Sequence, residues 1–416
     1  MSAFPRLATI RQQVPSAPLA DIPGTVRAEL QRIALANHIR SGARIAVAAG
    51  SRGIADYPLV IKTIVAELRT YGAEPFIFPA MGSHGGATAE GQRGVLADLG
   101  ITEQSMGCPI HSSMEVVQVG TTSGGLPVYC DAAAHGSDGI IIVNRVKVHT
   151  DFHGPTESGL VKMMAIGLGK RQGAILIHEG GVRGLRDDIP QVAAVQVNAS
   201  PILCGVAIVE DGNHHVSMIK ALPAAAIHQE EPAILARSRS LMAALPVAAC
   251  DVLIIDRIGK EISGAGMDPN IIGRTFIDGE PEPVSPHMRV VAALRLTEAT
   301  HGNACGLGFA DLVSQPLVDA MDEEVTRINI ATSGFPIRGR TPPSFADDRR
   351  TIEQALLMAA NGNGRHDLTL MRIRDTLSLD QLQVSENLLP RLQEQAGIEI
   401  VVPPEPMQFA VDGALL

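Results

Sequence analysis

Aromatic residues make up only 3% of this 416-residue chain, and tryptophan is absent. Proteins that hold single-stranded nucleic acid stack bases on exposed rings, so that class of partner is disfavoured. Basic charge is in deficit as well: 34 Lys and Arg stand against 44 Asp and Glu, a formal net charge of −10. A surface of that sign repels polyanions and leaves room only for local basic pockets that take small anions. The five cysteines, Cys108, Cys130, Cys204, Cys250 and Cys305, are odd in number, scattered, and never spaced as CxxC. That pattern speaks against a disulfide framework and against a Cys-rich zinc or iron–sulfur site. No apolar run approaches the ~20 residues that span a bilayer. Residues 1–15 lack the apolar core of a secretion signal. A small-molecule ligand, no membrane and a cytoplasmic location are the expectations that remain.

What the chain does have is 45% hydrophobic residues, enough for more than one core. Short apolar runs alternate with helical periodicity through the first half. Strands are expected over 43–48, 75–78, 116–119, 139–143 and 202–209, with helices over 57–70 and 88–99, the spacing of parallel βαβ units. A helix over 231–245 is stopped by Pro246. The sequence then opens a second α/β region with strands at 252–256, 289–294, 368–373 and 398–402, and helices near 310–323, 349–359 and 379–395. The expected fold is therefore two α/β domains, 1–246 and 247–416, with mainly parallel sheets and an active site in an interdomain cleft. The final strand is free to join either domain.

Chemistry concentrates in one stretch. The apolar run 139–143 leads into Asn144-Arg145-Val146-Lys147-Val148-His149-Thr150-Asp151-Phe152-His153, and then into Gly159-Leu160-Val161-Lys162-Met163-Met164. His178 follows sixteen residues after Lys162. Strand ends are where open α/β sheets place ligands. Lys162 sits among apolar neighbours, where its amine either snorkels to water or has its pKa depressed and becomes a nucleophile. His149 and His153, four apart, would share a helix face, but Pro155 opposes a long helix there. Two further strand-end corners are candidates: Met81-Gly82-Ser83-His84-Gly85-Gly86, where glycines let a ligand approach an imidazole, and Ser51-Arg52, suited to anion capture. In the second domain, the loop from Gly259 carries Lys260, Asp268 and Asn270 and could close over a substrate, although it has neither Walker nor dinucleotide-fingerprint spacing.

These residues resemble the nickel-pincer lactate racemase family, whose members interconvert the enantiomers of a 2-hydroxy acid. The resemblance rests on Gly82-Ser83-His84, Val146-Lys147-Val148-His149, Lys162 and His178. It covers the first domain; from Gly259 to Arg274 and His301 to Ala304 the chain is similar to a largely uncharacterised branch. The resemblance implies a racemase or epimerase, with Lys162 joined through a thioamide to a pyridinium mononucleotide that holds nickel and His178 completing the metal's coordination. It implies His84 and His149 as paired acid/bases, Ser51 and Arg52 as cofactor contacts, and Arg52, Lys260 and His153 as substrate contacts. Its partners would be a small 2-hydroxy acid or sugar acid and the proteins that synthesise the cofactor, with a homo-oligomer compatible. Two departures stand out: the segment between His149 and Lys162 is longer than in the characterised racemases, so His153 competes for the place of His149. Leu160-Val161 also replaces the Gly-Arg that usually precedes the lysine.

Two other readings share these residues. One is a divalent-metal lyase or hydrolase that uses His149, His153 and His178 as direct ligands. The other is a non-catalytic homologue that binds a small acid and never receives the cofactor.

Overall fold

The computed structural model describes residues 4–278, 280–361 and 367–416. The chain divides into two compact units, one of residues 15–242 and one of residues 1–14 together with 243–416. The division falls close to Pro246, but the first residues of the chain belong with its second half.

The unit of residues 15–242 is built on a five-stranded sheet ordered Glu74–Pro79, Arg44–Ala49, Gly139–Arg145, Ile202–Glu210 and Val216–Pro223. The first four strands are parallel; the last is an antiparallel edge. Successive side chains of a strand face opposite ways. Ile140 and Ile142 therefore pack with Leu160, Met164, Leu168, Ile177 and Val192 on one face. Ile141 and Val143 pack with Leu30, Val60, Ile61 and Ile64 on the other. Burial on both faces explains why this strand reads as an uninterrupted apolar run rather than an alternating one. The expected strand at 116–119 lies outside this sheet: Val116–Thr121 pairs antiparallel with Pro127–Asp131 as a separate hairpin.

Parallel pairing puts the C-terminal ends of Arg44–Ala49, Glu74–Pro79 and Gly139–Arg145 on the same edge of the sheet. The loops bearing Ser51-Arg52, His84 and His149 leave from that edge.

The other unit holds an eight-stranded mixed sheet ordered Ser344–Phe345, Leu312–Ser314, His287–Ala293, Ala249–Ile255, Leu370–Ile373, Gln381–Ser385, Arg6–Gln12 and Ile398–Pro406. The first five strands are parallel and the remaining pairings antiparallel. Helix Asp348–Ala360 lays Ile352, Ala355, Leu356 and Ala359 against Val252, Ile254, Val290 and Ala292. Two expected helices are corrected. Over 379–395 the chain forms the strand Gln381–Ser385 and only a short helix, Leu389–Gln393, because Leu382 and Val384 alternate with more exposed neighbours at the period of a strand. Over 310–323 it forms the strand Leu312–Ser314 and the short helix Gln315–Asp319, with a longer helix, Glu323–Ser333, beginning where the expected one ends. Among the described residues, no helix is long and apolar enough to cross a membrane.

Candidate active site

Lys162 closes a one-turn helix, Leu160–Lys162, that passes directly into a π-turn, Met163–Gly167, and then into helix Lys170–Glu179, whose last turn carries His178. π-turns inside helices recur at functional sites because they swing the next turn out of register. Two devices fix the start of this segment. The Glu231 carboxylate accepts hydrogen bonds from Leu160 N at 2.7 Å and Val161 N at 3.0 Å. Asn144 Nδ2 donates to Gly159 O at 2.8 Å. A Cβ on Gly159 would stand 2.4 Å from the Glu231 carboxylate, so the position before the lysine helix needs glycine for space. Glu231 is fully buried, and burial raises its pKa to about 7 despite those two donors.

The loop between Arg145 and Gly159 is not helical. Lys147 and Ser158 exchange backbone hydrogen bonds at 2.8 and 3.2 Å, closing its base. Inside it, the buried Glu157 carboxylate accepts from His149 N at 2.6 Å and from Arg239 at 2.8 Å. His153 Nδ1 also turns to Glu157, at 3.3 Å, and its side chain remains 45% exposed. His149 goes the other way, its Nε2 lying 2.5 Å from Lys162 Nζ. Its Nδ1 accepts the Asp151 backbone N–H at 3.0 Å, and its ring lies against Phe152 with centroids 4.6 Å apart. Of the two competing histidines, His149 is the one at the lysine.

Lys162 has its pKa lowered to about 8, first by burial of the amine, then by the charges of Arg52 and Lys147, with Asp151 opposing them. His84 keeps an exposed face, yet the surrounding protein and then Arg52 and Lys162 push its pKa down to about 4. His178 is lowered by burial of its ring and then by Lys162, again against Asp151. Arg52 is likewise lowered, by burial and then by Arg145, with Asp151 opposing. Charges act on one another in this way only across short separations. Arg52, His84, His149 and His178 are therefore neighbours of one amine.

Sequence reasoning missed the residues that hold these groups in place. Tyr57 Oη ties two strand ends together, accepting from Gly50 N at 2.8 Å and donating to Val143 O at 3.3 Å. A Cβ on Gly50 would meet Met163 Cε at 2.9 Å, which brings the Ser51-Arg52 turn against the lysine segment. Arg145 is ion-paired to Glu210, whose other oxygen accepts from Ala55 N at 2.8 Å. The helix after Ser51-Arg52 starts only at Tyr57, behind Asp56, so its N-terminus is not directly at that dipeptide. Lys170, fully buried, donates to Pro79 O at 2.8 Å and Gln92 Oε1 at 3.0 Å, and lies 3.4 Å from Asp131. Gln92 in turn donates to Met81 O and Gly82 O, both at 3.0 Å, gripping the loop that carries His84. None of these groups lies in a recognisable motif; each acquires its role from a partner distant in sequence. Lys260 belongs to the other unit, where its Nζ donates to Gly264 O and to Asn329 Oδ1 at 3.1 Å.

Among the described residues, no group of three His, Cys, Asp or Glu is placed to hold a metal ion. The direct-ligand reading of His149, His153 and His178 therefore lacks its ligand set.

The lactate racemase N-terminal domain family matches residues 16–183, which include every site residue named above from Ser51 to His178. Among curated proteins none matches the chain. Among solved structures, the lactate racemase apoprotein from Thermoanaerobacterium thermosaccharolyticum is similar in fold, with a TM-score of 0.53 and 14% identity over 89% of this chain and 94% of that one. Over residues 16–183 the chain is thus similar to the lactate racemase N-terminal domain family, and the likeness in fold extends beyond that stretch.

Proposed function

We propose that the protein is a racemase or epimerase of 2-hydroxy acids that works with a nickel-pincer mononucleotide joined to Lys162. The observation that carries this reading is the amine itself: Lys162 meets an imidazole at 2.5 Å, has its pKa lowered to about 8, and has two further histidines within electrostatic reach. The residues present fit such a group. An amine of lowered pKa is suited to an amide-like tether. His178 offers a single imidazole, which suits a metal whose other ligands come from the cofactor. When bound, that cofactor supplies a reversible hydride acceptor for the carbinol carbon.

The chain's own residues move the proton. With its pKa near 4, His84 is neutral at pH 7 and able to accept the substrate's hydroxyl proton. The Asp151 N–H occupies His149 Nδ1, so neutral His149 carries its proton on Nε2 and can donate it from there. One base and one acid, exchanging roles with the direction of reaction, are what inversion at a carbinol centre requires. Arg52, whose charge acts on His84, is our candidate to bind the substrate carboxylate or the cofactor phosphate. Ser51 adjoins it, whereas His153, turned to Glu157, serves the loop instead.

The test is to produce the chain together with cofactor-synthesis proteins, alongside a known lactate racemase as loading control. Intact mass, nickel content and chiral chromatography of a panel of 2-hydroxy acids and sugar acids are then measured. A covalent adduct on Lys162 with interconversion of at least one acid is the expected result. A bare Lys162 while the control is loaded would overturn the tether and favour the non-catalytic reading.

A further inference from the structure

We propose that Lys162 and His149 form a self-activating acylation site, in which the imidazole holds the amine unprotonated so that it attacks an activated acyl or thioacyl carbon without a separate transferase. This inference rests on Lys162 being the attachment point and specifies how the attachment is made.

The two hydrogen bonds of His149 favour one protonation state of the pair. A backbone N–H can only donate, so the Asp151 N–H, 3.0 Å from His149 Nδ1, requires a lone pair on that nitrogen. The proton of the neutral ring is then on Nε2, aimed at Lys162 Nζ 2.5 Å away. An ammonium has three donors and no lone pair. The two contacts are satisfied together only when Lys162 is a free amine that accepts from His149. Adding a proton to the pair sets two donors against each other and breaks one contact.

The surroundings act in the same sense. Arg52 and Lys147 bring positive charge to the amine; Asp151 opposes them, and its carboxylate stays 3.9 Å from the ring. His84 and His178 are themselves held below their ordinary range and add little positive charge at pH 7. The pair is also preorganised: Glu157 fixes the backbone of His149, and Glu231 fixes the helix of Lys162.

No other lysine of the chain is so placed. There are six: Lys62, Lys147, Lys162, Lys170, Lys220 and Lys260. Lys62 and Lys147 are exposed, Lys170 is enclosed by Pro79 O, Gln92 and Asp131, Lys220 is paired with Glu230 at 2.7 Å, and Lys260 donates within its own loop.

The step balances without oxidant or reductant. The Nζ lone pair forms a bond to the carbonyl or thiocarbonyl carbon, the bond from that carbon to its leaving group breaks, and the leaving group departs with the electron pair and the proton lost from Nζ. The co-reactant is an acyl phosphate, active ester or thioacyl equivalent. The product nitrogen is amide-like and no longer a base, which returns the His149 Nε2–H to the substrate side.

The experiment uses the full cofactor-free chain and the succinimidyl ester of acetic acid as probe, with peptide mass mapping of all six lysines between pH 6 and 10. Lys162 should be acetylated at least ~10-fold faster than exposed Lys62 at pH 7, with a midpoint near 8. In His149→Phe the rate at pH 7 should fall about 10-fold and the midpoint rise by about one unit. His149→Gln, which keeps a donor, should recover part of the rate; thermal melting of both variants checks the fold. Equal rates at Lys162 and Lys62, or an unchanged midpoint in both His149 variants, would overturn the proposal. Either outcome would leave the tether intact and assign its formation to another enzyme. A reactive Lys162 that carries no adduct after co-production would instead sink the tether and spare the pair.

Discussion

A lysine whose nearest polar neighbour is an imidazole rather than a carboxylate carries a cost that depends on pH. Unfolded, the Lys162 amine titrates near 10.5; folded, near 8. Between these values the unfolded chain still holds a proton that the folded one has shed, so stability climbs as pH rises from 8 to 10.5. Below pH 8 the fold bears the full cost, at most about 1.4 kcal/mol for each unit of depression. Lys162→Met should therefore raise the melting temperature at pH 6–7, and the advantage should vanish above pH 10.5. A variant that melts lower than wild type at pH 6 would contradict this. His84 makes a complementary prediction. Its pKa near 4 keeps the ring neutral throughout the physiological range, so its NMR resonances should show no titration between pH 5.5 and 8. Arg52→Ala, by removing a positive neighbour, should move the His84 midpoint upward. At this scale the sequence was informative where chemistry is local. His84, His149, Lys162 and His178 all stand out by residue type next to a strand end or an apolar run. Glu157 and Glu231 do not, because a buried carboxylate is recognised only by the N–H groups that fold onto it.

The lysine helix illustrates how an element borrows its stability. Leu160–Lys162 is a single turn with no side-chain cap of its own, and Glu231, from helix Ile227–Leu241, serves as its cap. Glu231→Ala should cost about 1–3 kcal/mol in urea unfolding, the range for losing a cap and leaving buried donors unmet. Because the Glu231 pKa is raised from 4.5 to about 7, its protonated form is the one the fold favours. The stability it contributes is complete below pH 4.5 and is lost as pH rises through 7. Glu231→Gln should flatten that slope, which unfolding curves at pH 4.5 and 8 would reveal. Lys170 is a second borrowed support, joining the start of the His178 helix to the end of Glu74–Pro79 and, through Gln92, to the His84 loop. Lys170→Met strands Asp131 without its cation and should cost about 3–5 kcal/mol; Lys170→Met with Asp131→Asn should recover part of it. Fully additive losses in that double variant would show that the two residues do not act as a pair. The parallel strands and helix Tyr57–Thr70 were legible because both obey a clear period. The region 379–395 was not: its leucines suit either period, and sheet neighbours on both sides decided for the strand.

Across the whole molecule, the least expected feature is the strand Arg6–Gln12. Its alternation is short and interrupted by charge, and nothing local reveals that its partners lie at the far end of the chain. It pairs antiparallel with Gln381–Ser385 on one side and with Ile398–Pro406 on the other, burying Leu7 and Ile10. Deleting residues 4–14 should therefore strip hydrogen-exchange protection from both of those strands while leaving the strand Gly139–Arg145 protected; retained protection at 381–385 would refute an integral role. The pairing also has a consequence for synthesis. Arg11 meets Gln381, so this strand waits for a partner synthesised 381 − 11 = 370 residues later. At ~5–20 residues per second that interval is on the order of 20–70 s. Throughout it the nascent chain carries an unpaired strand, a template that chaperones must shield or a neighbouring polysome product can capture.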